Sequence, residues 1–378
     1  MTDDPTTSIG RYFADLPDPR KDRTKLHSLH DILVIALCGI ISGAESWVEV
    51  EEYGSAKEPW LGTFLKLPNG IPSHDTFGRL FAMLNPAAFE RCFMAWVQGL
   101  CDGLAGEVIA IDGKTLRRSF DRASGKTPLH LVSAWAAEHR LVLGQVATDD
   151  KSNEITAIPE LLKLLDIQNA IVTVDAMGCQ KAIAGQIIEQ GGDYVMGLKG
   201  NQGTLHEQVQ VLFKEAQAEG YEGMRHDESR DTDKGHGRIE SRRVVCTDEI
   251  GWLRDKGRWP GLRGVAMVES RRTVADQVTT ERRYYITSLA CDDARQLAAV
   301  IRSHWGVENG LHWALDVSFR EDDCRVRTGH AAQNFSLLRR IALNLLKRET
   351  SRKIGIQAKR HRAGWDEQYL LKVLSNSI

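Results

Sequence analysis

Val108-Ile109-Ala110-Ile111-Asp112-Gly113 opens the stretch that decides the fold, and Ala170-Ile171-Val172-Thr173-Val174-Asp175 repeats its signature further on. Each is a short apolar run, too brief for a helix, that stops at an aspartate, as a buried strand does. The Asp112-Gly113 pair reads as a turn after the first strand. Between the two runs, His130–Ala136 and Arg140–Ala147 read as strands joined by a short polar turn, and Glu154–Leu165 as an amphipathic helix. After Asp175 come a helix at Lys181–Gln190 and a strand at Tyr194–Leu198. Three consecutive strands, then helix, strand, helix, strand predict a mixed α/β sheet covered by helices.

Working outward, residues 1–25 are polar and proline-containing and read as an irregular arm. Helical spacing follows at roughly 27–53, 57–66, 73–84 and 86–102, with Pro59, Pro68, Pro72 and Pro86 as stops or first-turn residues. Ser73 reads as an N-cap. Short helices joined by tight turns fit either an all-helical packing domain or a helix-turn-helix reader. Beyond Gly200 a helix near 204–218 leads into the charged stretch His226–Arg243, with strands near Arg242–Cys246, Gly264–Glu269 and Arg282–Thr287. The expected organisation is an N-terminal helical, DNA-binding domain (1–104) and a first core segment (105–199). A β-rich insertion (200–290), a last core segment (291–348) and a basic C-terminal tail (349–378) complete it.

Composition removes several classes. The 378 residues carry 49 Lys+Arg against 51 Asp+Glu, so the chain is no polycation. Its 7 cysteines never form a C-x-x-C pair, which argues against a zinc knuckle or disulfide framework. The apolar run Ile32–Ile41 is far short of the roughly 20 residues of a membrane span. The acidic, polar N-terminus resembles no targeting peptide, so a cytoplasmic protein is expected. Two Gly-Lys-Thr tripeptides lack the earlier glycine of a phosphate-binding loop, Val108 and Phe120 standing in its place, so no nucleotide cofactor is expected.

The most distinctive segment is Ile301–Trp313. If it is helical, His304, Glu308 and His312 are successive i+4 neighbours on one face. Gly306 and Gly310 each cost about 1 kcal/mol relative to alanine inside a helix, which close backbone packing would offset. Glu308 would be partly desolvated, an arrangement that asks for a cation. The strand order matches the ribonuclease-H-like fold, whose catalytic carboxylates sit at the ends of the first and fourth strands, where Asp112 and Asp175 stand. Asp316, Glu321 and Asp322 compete with Glu308 as third acid. His304, Glu308 and His312 together could instead form a mononuclear metal site.

Asp112-Gly-Lys, Val174-Asp175-Ala and Arg302-x-His304-Trp305-x-x-Glu308-Asn309-x-x-His312-Trp313, with Leu315-Asp316-Val317-x-Phe319-x-Glu321-Asp322, resemble a DDE transposase of bacterial insertion sequences. More narrowly, they resemble the group containing the H-repeat-associated proteins, as do Leu198–Gln202, Gly235–Glu240 and Asn334-x-x-x-Leu338-Arg339-Arg340-x-Ala342-Leu343-Asn344. The resemblance implies Asp112, Asp175 and Glu308 as a catalytic triad binding two Mg2+ ions, with Mn2+ as substitute. It implies hydrolysis at transposon ends followed by strand transfer, double-stranded DNA as partner and a homodimer on DNA. A DNA-binding relic without activity, or a nuclease without strand transfer, are the alternatives. Many relatives in the wider group carry Tyr, Arg and Lys around the glutamate, where this chain has Ile301, His304 and Leu315.

Candidate DNA contacts are Lys114, Arg117 and Arg118 beside Asp112; Lys199; His236 and Arg238 in the insertion; Arg302, His304 and His312; and Arg339 and Arg340. The last two belong to Arg325–Lys372, where twelve basic residues face only Glu349, Asp366 and Glu367.

Overall fold

The computed structural model describes residues 7–101, 103–120, 125, 127–148, 154–235, 238–274 and 277–375. Strand β1 (Val108–Thr115) pairs antiparallel with β2 (His130–Ala136), and β2 pairs with β3 (Leu141–Ala147). On its other side β1 runs parallel to β4 (Ile171–Val174), and β4 parallel to β5 (Asp193–Leu198). The expected order of three strands, helix, strand, helix, strand is the order that forms. One detail differs. Asp112-Gly113 is no turn: β1 runs on to Thr115, with Asp112 opposite Ser133 and Gly113 opposite Val132. A side chain on Gly113 would strike the carboxylate of Glu154 and the ring of His130, so the glycine serves a close approach within the strand.

The charged stretch from His226 also behaves differently from its sequence. It forms β6 (Asp227–Gly235) and β7 (Arg238–Thr247), and β8 (Gly264–Val274) and β9 (Gln277–Thr287) follow. Strand β9 pairs antiparallel with β5, so these strands extend the core sheet. Among the described residues the sheet has nine strands in the order β3-β2-β1-β4-β5-β9-β8-β7-β6. Only the halves next to the core are buried, at Val244–Thr247 and Gly264–Val268, which is why apolar alternation fails to announce the rest. The outer halves are tied by cross-strand ion pairs such as Arg282 with Glu269 (2.7 Å) and Arg243 with Glu228 (2.5 Å).

Residues 7–13 form a helix, α1 (Thr7–Phe13), where an irregular arm was expected. Ile9, Phe13 and Leu16 are buried, and the Phe13 ring meets Phe89 edge-on. The expected helix over 27–53 is two, α2 (Leu29–Ile41) and α3 (Trp47–Leu61), separated where Gly43 takes φ +118°. Ser46 and Glu49 form a capping box at the start of α3, and Pro59 lies inside its last turn instead of stopping a helix. α4 (His74–Met83) is capped by Ser73 as expected, and α5 (Pro86–Leu100) by Asn85 with Pro86 in its first turn.

The remaining helices are α6 (Glu154–Lys163), α7 (Lys181–Glu189), α8 (Gly203–Ala218), α9 (Ala294–His304), α10 (Trp313–Phe319), α11 (Ala331–Arg348), α12 (Ile356–Trp365) and α13 (Glu367–Ser375). Helix α2 is buried from Asp31 to Ile41 and packs on α11, while α5 and α11 both lie on β3. The N-terminal helices therefore share one core with the sheet.

Where α5 meets β3, Glu90 accepts a hydrogen bond from the Gln145 amide at 2.8 Å, and burial pushes its carboxyl up to about 8. A carboxyl raised on folding stabilises below its unfolded value, and that contribution is lost as pH rises through the folded value. Glu90→Gln should match the wild type at pH 5 within about 1 kcal/mol and exceed it at pH 9 by on the order of 3 kcal/mol. Urea midpoints at the two pH values check this; equal midpoints at pH 9 would place the carboxylate in a solvated site.

Candidate active site

Ile111 and Val174 are partners across β1 and β4, so the residues that follow them are neighbours: Asp112 within β1, which runs on to Thr115, and Asp175 just past the end of β4. Parallel strands lie roughly 4.8 Å apart, which sets the two aspartates on adjacent backbone positions. Asp175 is fixed by its own turn: its Oδ1 accepts from the amides of Met177 (2.9 Å) and Gly178 (3.1 Å). Gly178 leaves no room for a side chain, since Ile158 and Val174 stand 2.9 and 3.0 Å from where a Cβ would be.

Against this pair lies the segment that follows the sheet extension. His304, at the end of α9, shares a hydrogen bond of 3.0 Å with Thr173 through Nδ1, and His312 Nε2 lies 3.2 Å from Asp112 Oδ2. Burial holds the His304 imidazole below its ordinary range, against the pull of Asp112 and Asp175. The ring is therefore a neutral neighbour to both aspartates. His304 and His312 reach different strands, and with Glu308 they do not assemble into the mononuclear site that their spacing suggested.

The segment is not a continuous α-helix. Glu308–His312 forms a π turn between α9 and α10, a feature concentrated at functional sites. The two glycines of the segment meet Trp135 differently. A Cβ on Gly310 would stand 2.8 Å from the buried Trp135 ring, and one on Gly306 3.6 Å from it. Close packing on β2 thus accounts for Gly310, whereas at Gly306 a side chain would make only an ordinary van der Waals contact. Gly310→Ala should destabilise by about 1–3 kcal/mol through overpacking, although alanine is intrinsically favoured by about 1 kcal/mol. A urea midpoint above that of the wild type would show that Trp135 yields freely.

Glu308 is exposed and lines a cleft of about 1160 Å³ between α9 and the outer halves of β6 to β9; neither aspartate lines it. Arg238, Arg242, Arg272, Arg283, Arg295 and Arg302 stand around the cleft, interleaved with Asp231, Asp233, Glu240 and Glu281. Arg302 pairs with Asp231, Arg242 with Glu240 and Arg283 with Glu281, while the Arg283 guanidinium lies 4.5 Å over the Trp305 ring.

Donor chemistry bears on a metal. Two adjacent carboxylates supply the oxygen ligands that magnesium and manganese take. Among the described residues neither is paired with a lysine or arginine, so the aspartate pair fits a divalent cation. Among those residues no group of three His, Cys, Asp or Glu side chains is set to hold a metal ion, so Glu308 does not join the pair in this conformation.

The expected DNA contacts divide sharply. Arg117, Arg118, Lys199, Arg238 and Arg302 are exposed. His304 and His312 face the strands, and His236 lies outside the described residues. Lys114, Arg339 and Arg340 are buried, at 8%, 2% and 0% exposure, and cannot serve as surface phosphate contacts. Lys359 and Arg360 of the basic C-terminal stretch are buried too: Arg360 donates to the carbonyls of Ile40 and Ser318, and Lys359 to those of Leu346 and Glu349. Four of the twelve basic residues of the stretch, Arg339, Arg340, Lys359 and Arg360, are thus internal. Glu321, read from the sequence as a competitor for the third acid, is instead buried and pairs with Lys114 and Arg340, a bracing role that the sequence reading did not find.

Comparison with known proteins supplies the class. The chain belongs to the DDE transposase family: the Transposase DDE domain matches residues 103–345, and the DDE_Tnp_1-associated region matches residues 11–97. Within it the chain is similar to the H repeat-associated transposase candidate YhhI of Escherichia coli (strain K12), 42% identical over 97% of each chain. It is also 40% identical to the transposase candidate YncI of Escherichia coli O157:H7, over 98% of this chain and 95% of that protein. Among solved structures, a piggyBac transposase synaptic complex with hairpin DNA aligns with TM-score 0.41 and 10% identity, over 94% of this chain and 75% of that one. Among the described residues no helix is long and apolar enough to cross a membrane.

Proposed function

We propose that this chain is an active insertion-sequence transposase that cuts DNA at transposon ends and joins the freed 3′-hydroxyl to target DNA. The observation that carries the reading is the pair Asp112, within β1, and Asp175, at the end of the adjacent β4, with His304 and His312 of the following segment bonded to these two strands. Two magnesium ions, or manganese in their place, held by Asp112 and Asp175 with Glu308 as third ligand, would activate the attacking oxygen and stabilise the leaving one.

The chain's own groups prepare that site. The Met177 and Gly178 amides fix the Asp175 carboxylate, and the His312 ring holds Asp112 on its other side. His304 is held on β4 by its hydrogen bond to Thr173, the residue two before Asp175. Arg238 and Arg302 stand on the cleft that Glu308 lines and would contact the phosphates of a DNA strand lying there. Arg117, Arg118 and Lys199 are further phosphate contacts in this reading. Because two ends must be joined to one target, the working form is a homodimer on double-stranded DNA.

The test is incubation of the protein with its element's end DNA, a target plasmid and Mg2+ or Mn2+. Cleavage with joining supports the reading. Cleavage without joining identifies a nuclease, and binding without cleavage a catalytically inactive relic.

A further inference from the structure

Lys114 follows Asp112 by two residues on β1, so both side chains leave the same face of the sheet. On that face Asp112 meets His312, and Lys114 meets Asp316, four residues further along the segment. Two strand residues advance about 6.6 Å and four helical residues about 6 Å, so the two contacts form matched rungs between β1 and the segment above it.

The second rung is anchored from behind. The Lys114 ammonium also donates to Glu321 Oε2 at 3.1 Å and has Asp322 Oδ1 at 3.8 Å. Glu321 in turn accepts from Arg340 (3.1 Å) and the Ser336 hydroxyl (2.7 Å) on α11. Arg340 Nη2 reaches Ser133 Oγ at 3.5 Å on β2, and Ser133 is the cross-strand partner of Asp112. The chain of contacts therefore closes on the aspartate from which it started. An exposed phosphate cannot enter it, since three carboxylates already surround the ammonium.

We propose that Lys114 is a positioning residue: through Asp316 and Glu321 it fixes the register of residues 308–319 on β1, and so where Glu308 stands relative to Asp112 and Asp175. The inference deepens the transposase reading and rests on it for the role of Glu308. The register itself does not depend on activity, and the test uses that difference.

Hydrogen–deuterium exchange on the full-length Lys114→Met protein should show amides of residues 306–319 exchanging about tenfold faster, with β4 and β5 changed by less than about twofold. DNA-end affinity should stay within about twofold, and cleavage per bound complex should fall about tenfold or more. Lys114→Arg should restore part of the protection. If Lys114→Met does not fold, Asp316→Asn loosens the same rung while Lys114 keeps Glu321, and is read in the same way. Unchanged exchange at 306–319, or faster exchange spread evenly through the sheet, overturns the proposal. So does a loss of DNA affinity with exchange intact, which would make Lys114 a DNA contact. A wild-type protein that never cuts DNA defeats the transposase reading, while the exchange result still decides the register.

Discussion

Asp112→Asn and Asp175→Asn should each lower DNA-end cleavage by about a thousandfold or more, with DNA affinity held within about twofold. The size of the effect follows from charge. Asparagine keeps the shape of aspartate but not the negative oxygen that a divalent cation requires. Local structure should survive, because an asparagine carbonyl can still accept from the Met177 and Gly178 amides at position 175. At position 112 the amide can still meet His312 Nε2. Glu308→Gln tests the third ligand separately. It should be as severe in cleavage, yet its exposed side chain makes any change in the urea midpoint less than about 0.5 kcal/mol. Gel-shift titration beside cleavage with Mg2+ distinguishes the cases. Full cleavage by the Glu308 variant, with both aspartate variants dead, would pass the third-ligand role to another acid.

The aspartates were legible because each closes a short apolar run, and an apolar run is what a strand buried on both faces must be. The break between α2 and α3 was also written in the chain, as Ser46-x-x-Glu49, but the link over residues 42–45 is short and holds no proline, so the helical reading ran through it. Other features leave no periodic trace. The π turn inserts its extra residue into spacing that reads equally well as α-helix. The outer halves of β6 to β9 are exposed, so nothing apolar alternates there. Charge counting placed a DNA groove at Arg325–Lys372, yet position in sequence does not say which way a cation points. Arg340 faces inward because Glu321 is buried beside it, and Arg360 because the Ile40 and Ser318 carbonyls need donors.

The largest loss of stability should come from that same buried pair. Glu321 and Arg340 are both 0% exposed at their side chains and 3.1 Å apart. Arg340→Met should cost about 3–5 kcal/mol at pH 7, because a carboxylate loses its main counter-charge while remaining out of water. Burial alone would raise the Glu321 carboxyl, but Arg340, Lys114, Arg339 and the Ser336 hydroxyl outweigh it and hold the group well below the usual range. A carboxyl depressed on folding contributes stability above its unfolded value, lost as pH falls towards the folded one. Glu321→Gln should therefore weaken the fold at neutral pH and flatten the decline of stability below about pH 4.5. Urea midpoints at pH 7 and pH 3 read both effects. The double change Glu321→Met with Arg340→Leu should cost less than Arg340→Met alone, since an apolar pair of similar volume carries no desolvation penalty. Additive losses for Glu321→Met and Arg340→Leu, measured singly and together, would mean that the two side chains are solvated in the folded protein, and that the bracing of β1 against α10 and α11 has another origin.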